Sequence, residues 1–80
     1  MIVKYDNGMI LEKINDNTAK VFVPLKLILN NEMPNFLHLL NDVFGFNCKY
    51  FRQYKSNMNK EGYTIYFYTN IIPLSEIKKG

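Results

Sequence analysis

The chain has one cysteine (Cys48), one histidine (His38), one arginine (Arg52), one alanine (Ala19) and no tryptophan among its 80 residues. A single cysteine cannot close an intramolecular disulfide. It also removes cysteine-based zinc and iron–sulfur sites and accords with a reducing, cytoplasmic setting. Long apolar runs are missing as well. The longest mostly apolar stretch, Val21 to Leu29, holds Pro24 and Lys26 and falls short of the roughly 20 residues a membrane-spanning helix needs. The start of the chain turns polar at Lys4, so no secretory leader and no membrane association are expected. The phosphate loop, the dinucleotide fingerprint, the zinc-protease helix and the calcium-binding loop are all absent as motifs.

The remaining candidates for chemistry have plain structural explanations. His38 would need an orienting partner and a nucleophile to act as a base. Asp42 lies one helical turn on, which makes a solvated i,i+4 pair. Asp6 and Asp16 sit in turn sequences, where a short carboxylate or amide bonds its own backbone. Asn15-Asp16-Asn17 offers oxygen ligands but no glycine and no distal glutamate at calcium-loop spacing. Cys48 reads as a buried strand residue. No enzyme activity, no metal and no cofactor are expected.

What is present points to a folded domain. Hydrophobic residues make up 48% and aromatic residues 15%, whereas disordered chains lack both aromatics and β-branched residues. The length allows a single domain, residues 1–80, which buries roughly 60% of its extended surface. Such a domain is marginally stable, and self-association is one way to add to it. The formal charge is +3. Phe, Tyr, Met, Ile, Asn and Lys dominate the composition, as AT-rich codons dictate, so the lysines need not mark a basic patch.

Three strands are expected before Pro24. Asp6-Asn7-Gly8 separates Ile2–Tyr5 from Met9–Ile14, and Asn-Gly predicts a two-residue type I′ hairpin turn. Asn15-Asp16-Asn17 turns the chain again into Thr18–Val23, with Ala19, Val21 and Val23 on one face. Residues 25–30 match both a helical and a strand stripe, and a short helical turn is preferred. The main helix is expected from Glu32 or Pro34 to Phe44, capped by Asn30 or Asn31 and ended by Gly45. Met33, Phe36, Leu37, Leu40, Val43 and Phe44 would form its apolar stripe. A second hairpin follows: Cys48–Tyr54, a polar loop from Lys55 to Gly62, and Tyr63–Ile72. One more helical turn is expected at Leu74–Ile77. The whole is a small two-layer α+β domain, β-β-β-α-β-β, with a mostly antiparallel sheet and one main helix packed on one face.

The second hairpin carries the one constellation with functional content. If Phe51, Ile65 and Phe67 face the helix, alternation puts Tyr50, Arg52, Tyr54, Tyr66 and Tyr68 on the other face. Lys49 and Lys55 lie nearby on the edge or loop. One helix covers only one face of a sheet, so this set would stay open. Tyr and Arg combine large rigid area with polar tips and are enriched in binding hot spots. The alternative is that cross-strand tyrosines only stabilise the sheet.

These features lead to three readings. The first is a non-catalytic module that binds a host protein and acts by occlusion. Its parallel, drawn from size and composition alone, is with the small inhibitors that phages and mobile elements direct at host nucleic-acid machinery, anti-CRISPR proteins included. The second is single-stranded nucleic-acid binding on the aromatic, basic face. The third is a structural homo-oligomer, such as a homodimer.

Overall fold

The computed structural model describes residues 1–45 and 48–71, without the side chains of 48–50 and 69–71. The expected second helical turn at Leu74–Ile77, the end of the last strand at Ile72 and the burial of Cys48 lie outside the described residues.

The first three strands form the expected meander: β1 (Ile2–Lys4), β2 (Ile10–Lys13) and β3 (Thr18–Pro24). The first turn differs from expectation. Tyr5 N–H donates to the Met9 carbonyl at 2.9 Å and Gly8 N–H donates to the Tyr5 carbonyl at 3.0 Å. Three residues therefore form the loop, and only Gly8 takes a left-handed φ, of 98°. This is a type I turn closed by a left-handed glycine, the usual three-residue hairpin, in place of a type I′ turn. Asn7 contributes its side chain: Oδ1 accepts from Met9 N–H at 3.0 Å. The second turn uses the same device, with Asn15 Oδ1 accepting from Asn17 N–H at 2.9 Å.

Pro24 ends β3 in an extended conformation and leads straight into α1 (Leu25–Leu29). Helix wins over strand here because Leu27 thereby enters the core with Ile28 against it. The end of α1 explains why the two candidate caps at Asn30 and Asn31 do not start the next helix. Asn31 adopts φ of 61°. Its N–H donates to the Ile28 carbonyl at 3.2 Å, and Glu32 N–H donates to the Leu27 carbonyl at 2.8 Å. That pair of bonds is a Schellman ending, with asparagine in the left-handed position.

The main helix α2 is shorter than expected, Phe36–Phe44. Its cap is Asn35, whose Oδ1 accepts from His38 N–H at 3.2 Å. Pro34 precedes the helix instead of entering it, consistent with the extended conformation proline imposes on its predecessor. Gly45, at φ 89°, ends it and donates to the Asn41 carbonyl at 2.8 Å. The buried stripe is rotated from the expected one. Leu40 is fully buried, and Phe36, Leu39, Val43 and Phe44 pack around it. Leu37 and Met33, expected inside, are 53% and 44% exposed. Starting the helix at Phe36 leaves Met33 outside it, and the helix docks on its Phe36, Leu40 and Val43 side, which brings in Leu39 and leaves Leu37 exposed.

The second hairpin is longer than expected. The supposed polar loop is mostly strand: β4 runs Cys48–Asn59 and β5 runs Gly62–Ile71. Only Lys60 and Glu61 form the turn, held by Asn59 Oδ1, which accepts from Glu61 N–H at 2.8 Å and from Gly62 N–H at 3.2 Å. Lys55, Ser56, Asn57 and Asn59 resemble loop residues because all are exposed on an edge strand. Backbone pairing along β5 holds them extended without help from their side chains.

The sheet is fully antiparallel in the order β1-β2-β3-β5-β4. Both helices lie on one face, over Leu11, Ala19, Val21, Val23, Ile65 and Phe67. The fold is thus the expected small α+β domain, with a short second helix added to the same layer.

Candidate functional site on the open sheet face

Ladder register decides which side chains share the uncovered face, because directly opposed residues point the same way. Ile65 pairs with Val21, and Phe67 with Ala19, which places all four under the helices. Their neighbours Thr64, Tyr66 and Tyr68 therefore point away, opposite Phe22, Lys20 and Thr18 of β3. On the far side of β5, Arg52 stands opposite Tyr68 and Lys55 opposite Tyr66. Each tyrosine thus has a cation beside it across the ladder: Lys20 and Lys55 for Tyr66, Arg52 for Tyr68.

A β-bulge refines this arrangement. Between the Gln53–Phe67 and Lys55–Tyr66 pairs, β4 carries one residue more than β5. Strict alternation would send Tyr54 and Lys55 to opposite faces. The bulge lets both reach Tyr66. The Tyr54 and Tyr66 rings lie 6.0 Å apart and tilted by 53°, and Lys55 Nζ sits 5.2 Å from the Tyr66 ring centre. The first separation is in the range where aromatic pairs attract, and the second is a cation–π distance.

Of the expected set, the structure brings Arg52, Tyr54, Lys55, Tyr66 and Tyr68 together on one face. Tyr54 is 56% exposed and Tyr68 43%, while Tyr66 is half-buried between its neighbours. The side chains of Lys49 and Tyr50 lie outside the described ones. Thr18, Arg52, Gln53, Tyr54 and Tyr68 line a shallow open depression of about 470 Å³.

Sequence reasoning missed the other half of this face. Lys4, Ile10 and Phe22 form one row across β1, β2 and β3, and Ile2, Glu12 and Lys20 form the next. The alternation of Thr18, Lys20 and Phe22 against Ala19, Val21 and Val23 was readable. That β3 lies beside β5 was not, and this adjacency joins the two halves. Phe22 also covers Gly62, whose lack of a side chain leaves room for the ring.

Charge is unevenly placed. Among the described side chains, the open face carries Lys4, Lys20, Arg52 and Lys55 against one carboxylate, Glu12. Glu12 is engaged with Lys20 across the ladder at 3.4 Å. Elsewhere, the described turns and helices carry Asp6, Asp16, Glu32, Asp42 and Glu61 against Lys26 and Lys60. Lys13 lies with its Nζ 5.2 Å from the Phe44 ring centre, on the helix side.

The other candidates for chemistry stay apart. His38 Nε2 and Asp42 Oδ2 approach to 3.8 Å on the solvent side of α2, with both side chains well exposed. Among the described residues, no three His, Cys, Asp or Glu side chains come close enough to hold a metal ion. No described helix is long and apolar enough to cross a membrane.

No protein-family model, curated protein or solved structure matches the chain.

Proposed function

We propose that the domain is a non-catalytic binding module that works by laying its open sheet face on a partner and occluding the surface it covers. The observation that carries this reading is the cluster of Tyr54, Tyr66, Tyr68, Arg52 and Lys55 on the face opposite both helices. Rigid aromatic side chains with cations held against them lose little conformational freedom on contact, which is what favours Tyr and Arg in interface centres.

The parallel with small phage and mobile-element inhibitors of host nucleic-acid machinery keeps its logic, occlusion by a compact domain. The sign of the face narrows it. A basic face is repelled by the basic channels in which such machinery holds nucleic acid, and is attracted to acidic surfaces or to nucleic acid itself. A single cysteine suits a reducing compartment, and on that ground we assign the domain to the cytoplasm.

The test is a binding experiment with the face altered. Tyr68→Ala and Arg52→Glu should each abolish capture of a partner from host extract while leaving the melting curve of the domain close to wild type. Capture that survives both changes places the contact elsewhere. Light scattering on the purified chain checks the homodimer alternative: a dimer dissolved by Tyr68→Ala would mean the face is used for self-association.

A further inference from the structure

We infer that the partner of the open face is single-stranded nucleic acid. This rests on the reading of that face as the working surface and names its ligand. Three features converge. The first is charge: among the described side chains, four cations to one carboxylate on the face, with the other described acidic residues in the turns, on and between the helices and at the β4–β5 hairpin tip. A polyanion meets attraction across the whole face, and such a field also speeds encounter.

The second is the placement of rings among those charges. Tyr66 lies between Lys20 and Lys55 in the ladder, and Tyr68 stands opposite Arg52. Tyr54 and Tyr68 remain about half exposed. Bases stack on aromatic side chains while flanking cations follow the phosphates, and this alternation is how sheet and barrel surfaces hold single strands. A duplex hides its base faces in the stack, so it can use the cations but not the rings.

The third is the shape of the face at the bulge. Thr18, Arg52, Gln53, Tyr54 and Tyr68 enclose an open depression of about 470 Å³, within the usual range for small-ligand pockets. It puts a guanidinium beside two phenol rings, in a space the size of one nucleotide. An unpaired strand matches both features at once, offering phosphates to the cations and base faces to the rings.

The experiment is fluorescence anisotropy of the whole chain with a labelled single-stranded oligonucleotide of about 16 nucleotides, the upper end of single-domain site sizes. The matched duplex is the control. Three or four phosphate contacts predict a log–log salt slope between about −2 and −3, a loss of roughly 20- to 50-fold from 50 to 200 mM salt. Tyr54→Ala or Tyr68→Ala should weaken binding by roughly 5- to 150-fold, the effect of removing one stacking platform. Tyr54→Phe should retain binding, because the ring and not the hydroxyl is used. Lys20→Gln and Lys55→Gln should reduce the salt slope without changing base preference.

No binding of the single strand at 50 mM salt overturns the assignment, and so does duplex binding as tight as single-strand binding. The contact-surface reading fails separately. If the oligonucleotide does not bind but an acidic host protein is captured in a Tyr68-dependent way, the ligand is wrong and the surface is right. If neither depends on Tyr68 or Arg52, both are wrong. Circular dichroism of each variant confirms that it is folded, and Tyr54→Phe serves as the ring-retaining control if an alanine variant loses structure.

Discussion

The ring of Tyr54 lies 6.0 Å from that of Tyr66, at the point where β4 holds one residue more than the strand it pairs with. The bulge lets Tyr54 and Lys55 meet the same ring from consecutive positions. Bulges re-aim side chains and also blunt sheet edges against unwanted pairing. Here one local irregularity on an edge strand does both.

Because Tyr54 and Tyr68 are about half exposed, their removal should scarcely touch the fold. The double change Tyr54→Ala, Tyr68→Ala should cost about 1 kcal/mol, the scale of one lost aromatic pair. Urea denaturation measures this directly. A loss several times larger would mean the rings are part of the core, which would remove the basis for a contact surface.

Gly62 is the glycine whose replacement should be most damaging. A Cβ there would collide with the Val23 carbonyl oxygen and meet the Phe22 ring at 3.0 Å. Gly45 also has a left-handed φ, but its Cβ would meet open space. We expect Gly62→Ala to cost about 3 kcal/mol or more through overpacking added to strain, and Gly45→Ala about 1–3 kcal/mol through backbone strain alone. The order of the two melting temperatures decides it, and the reverse order would contradict the close approach of β3 and β5 at this end.

The two asparagine roles separate cleanly by substitution. Asn35→Ala removes the side-chain oxygen that caps α2 and should cost about 1 kcal/mol. Asn31→Gly places the residue most tolerant of left-handed φ at the end of α1 and should be neutral or stabilising by up to about 1 kcal/mol. Thermal melts of the two variants should therefore move in opposite directions, or the second should not move. A clear loss on Asn31→Gly would argue against the Schellman ending.

Alkaline pH should find one weak point. Burial raises the pKa of Tyr5 above its ordinary 10.0, and the negative charge of Asp42 raises it further. A folded pKa above the unfolded one gives a contribution that is fully present below about pH 10 and is lost as pH rises through the raised value. Stability should therefore fall above pH 10, and Tyr5→Phe should flatten that fall. Denaturation midpoints on both sides of pH 10 test it. Equal pH dependence in the two proteins would show that Tyr5 is not the group responsible.

Local patterns made much of the fold legible. Alternation in Thr18–Val23 marked its buried face, Pro24 marked the end of β3, and Gly45 marked the end of α2, because each rests on residues adjacent in the chain. Errors arose where local signals had two uses. Asn30 and Asn31 match the N-cap of one helix as well as the C-terminal signal of another. Asn7-Gly8 suits a two-residue turn and a three-residue turn alike. Lys55–Asn59 has loop composition, yet pairing with β5 holds it extended.

The tyrosine and arginine content of the last hairpin, and its period-two spacing, follow from residue order alone, since pleating forces neighbours onto opposite faces. Long-range pairing settled the rest. The position of β3 beside β5 puts Lys20 and Thr18 next to Tyr66 and Tyr68, and an extra residue in β4 turns Lys55 toward the same ring. Contacts between segments some 50 residues apart in sequence depend on how the whole core closes, and no local pattern encodes them. The concentration of positive charge on one face is a product of that closure.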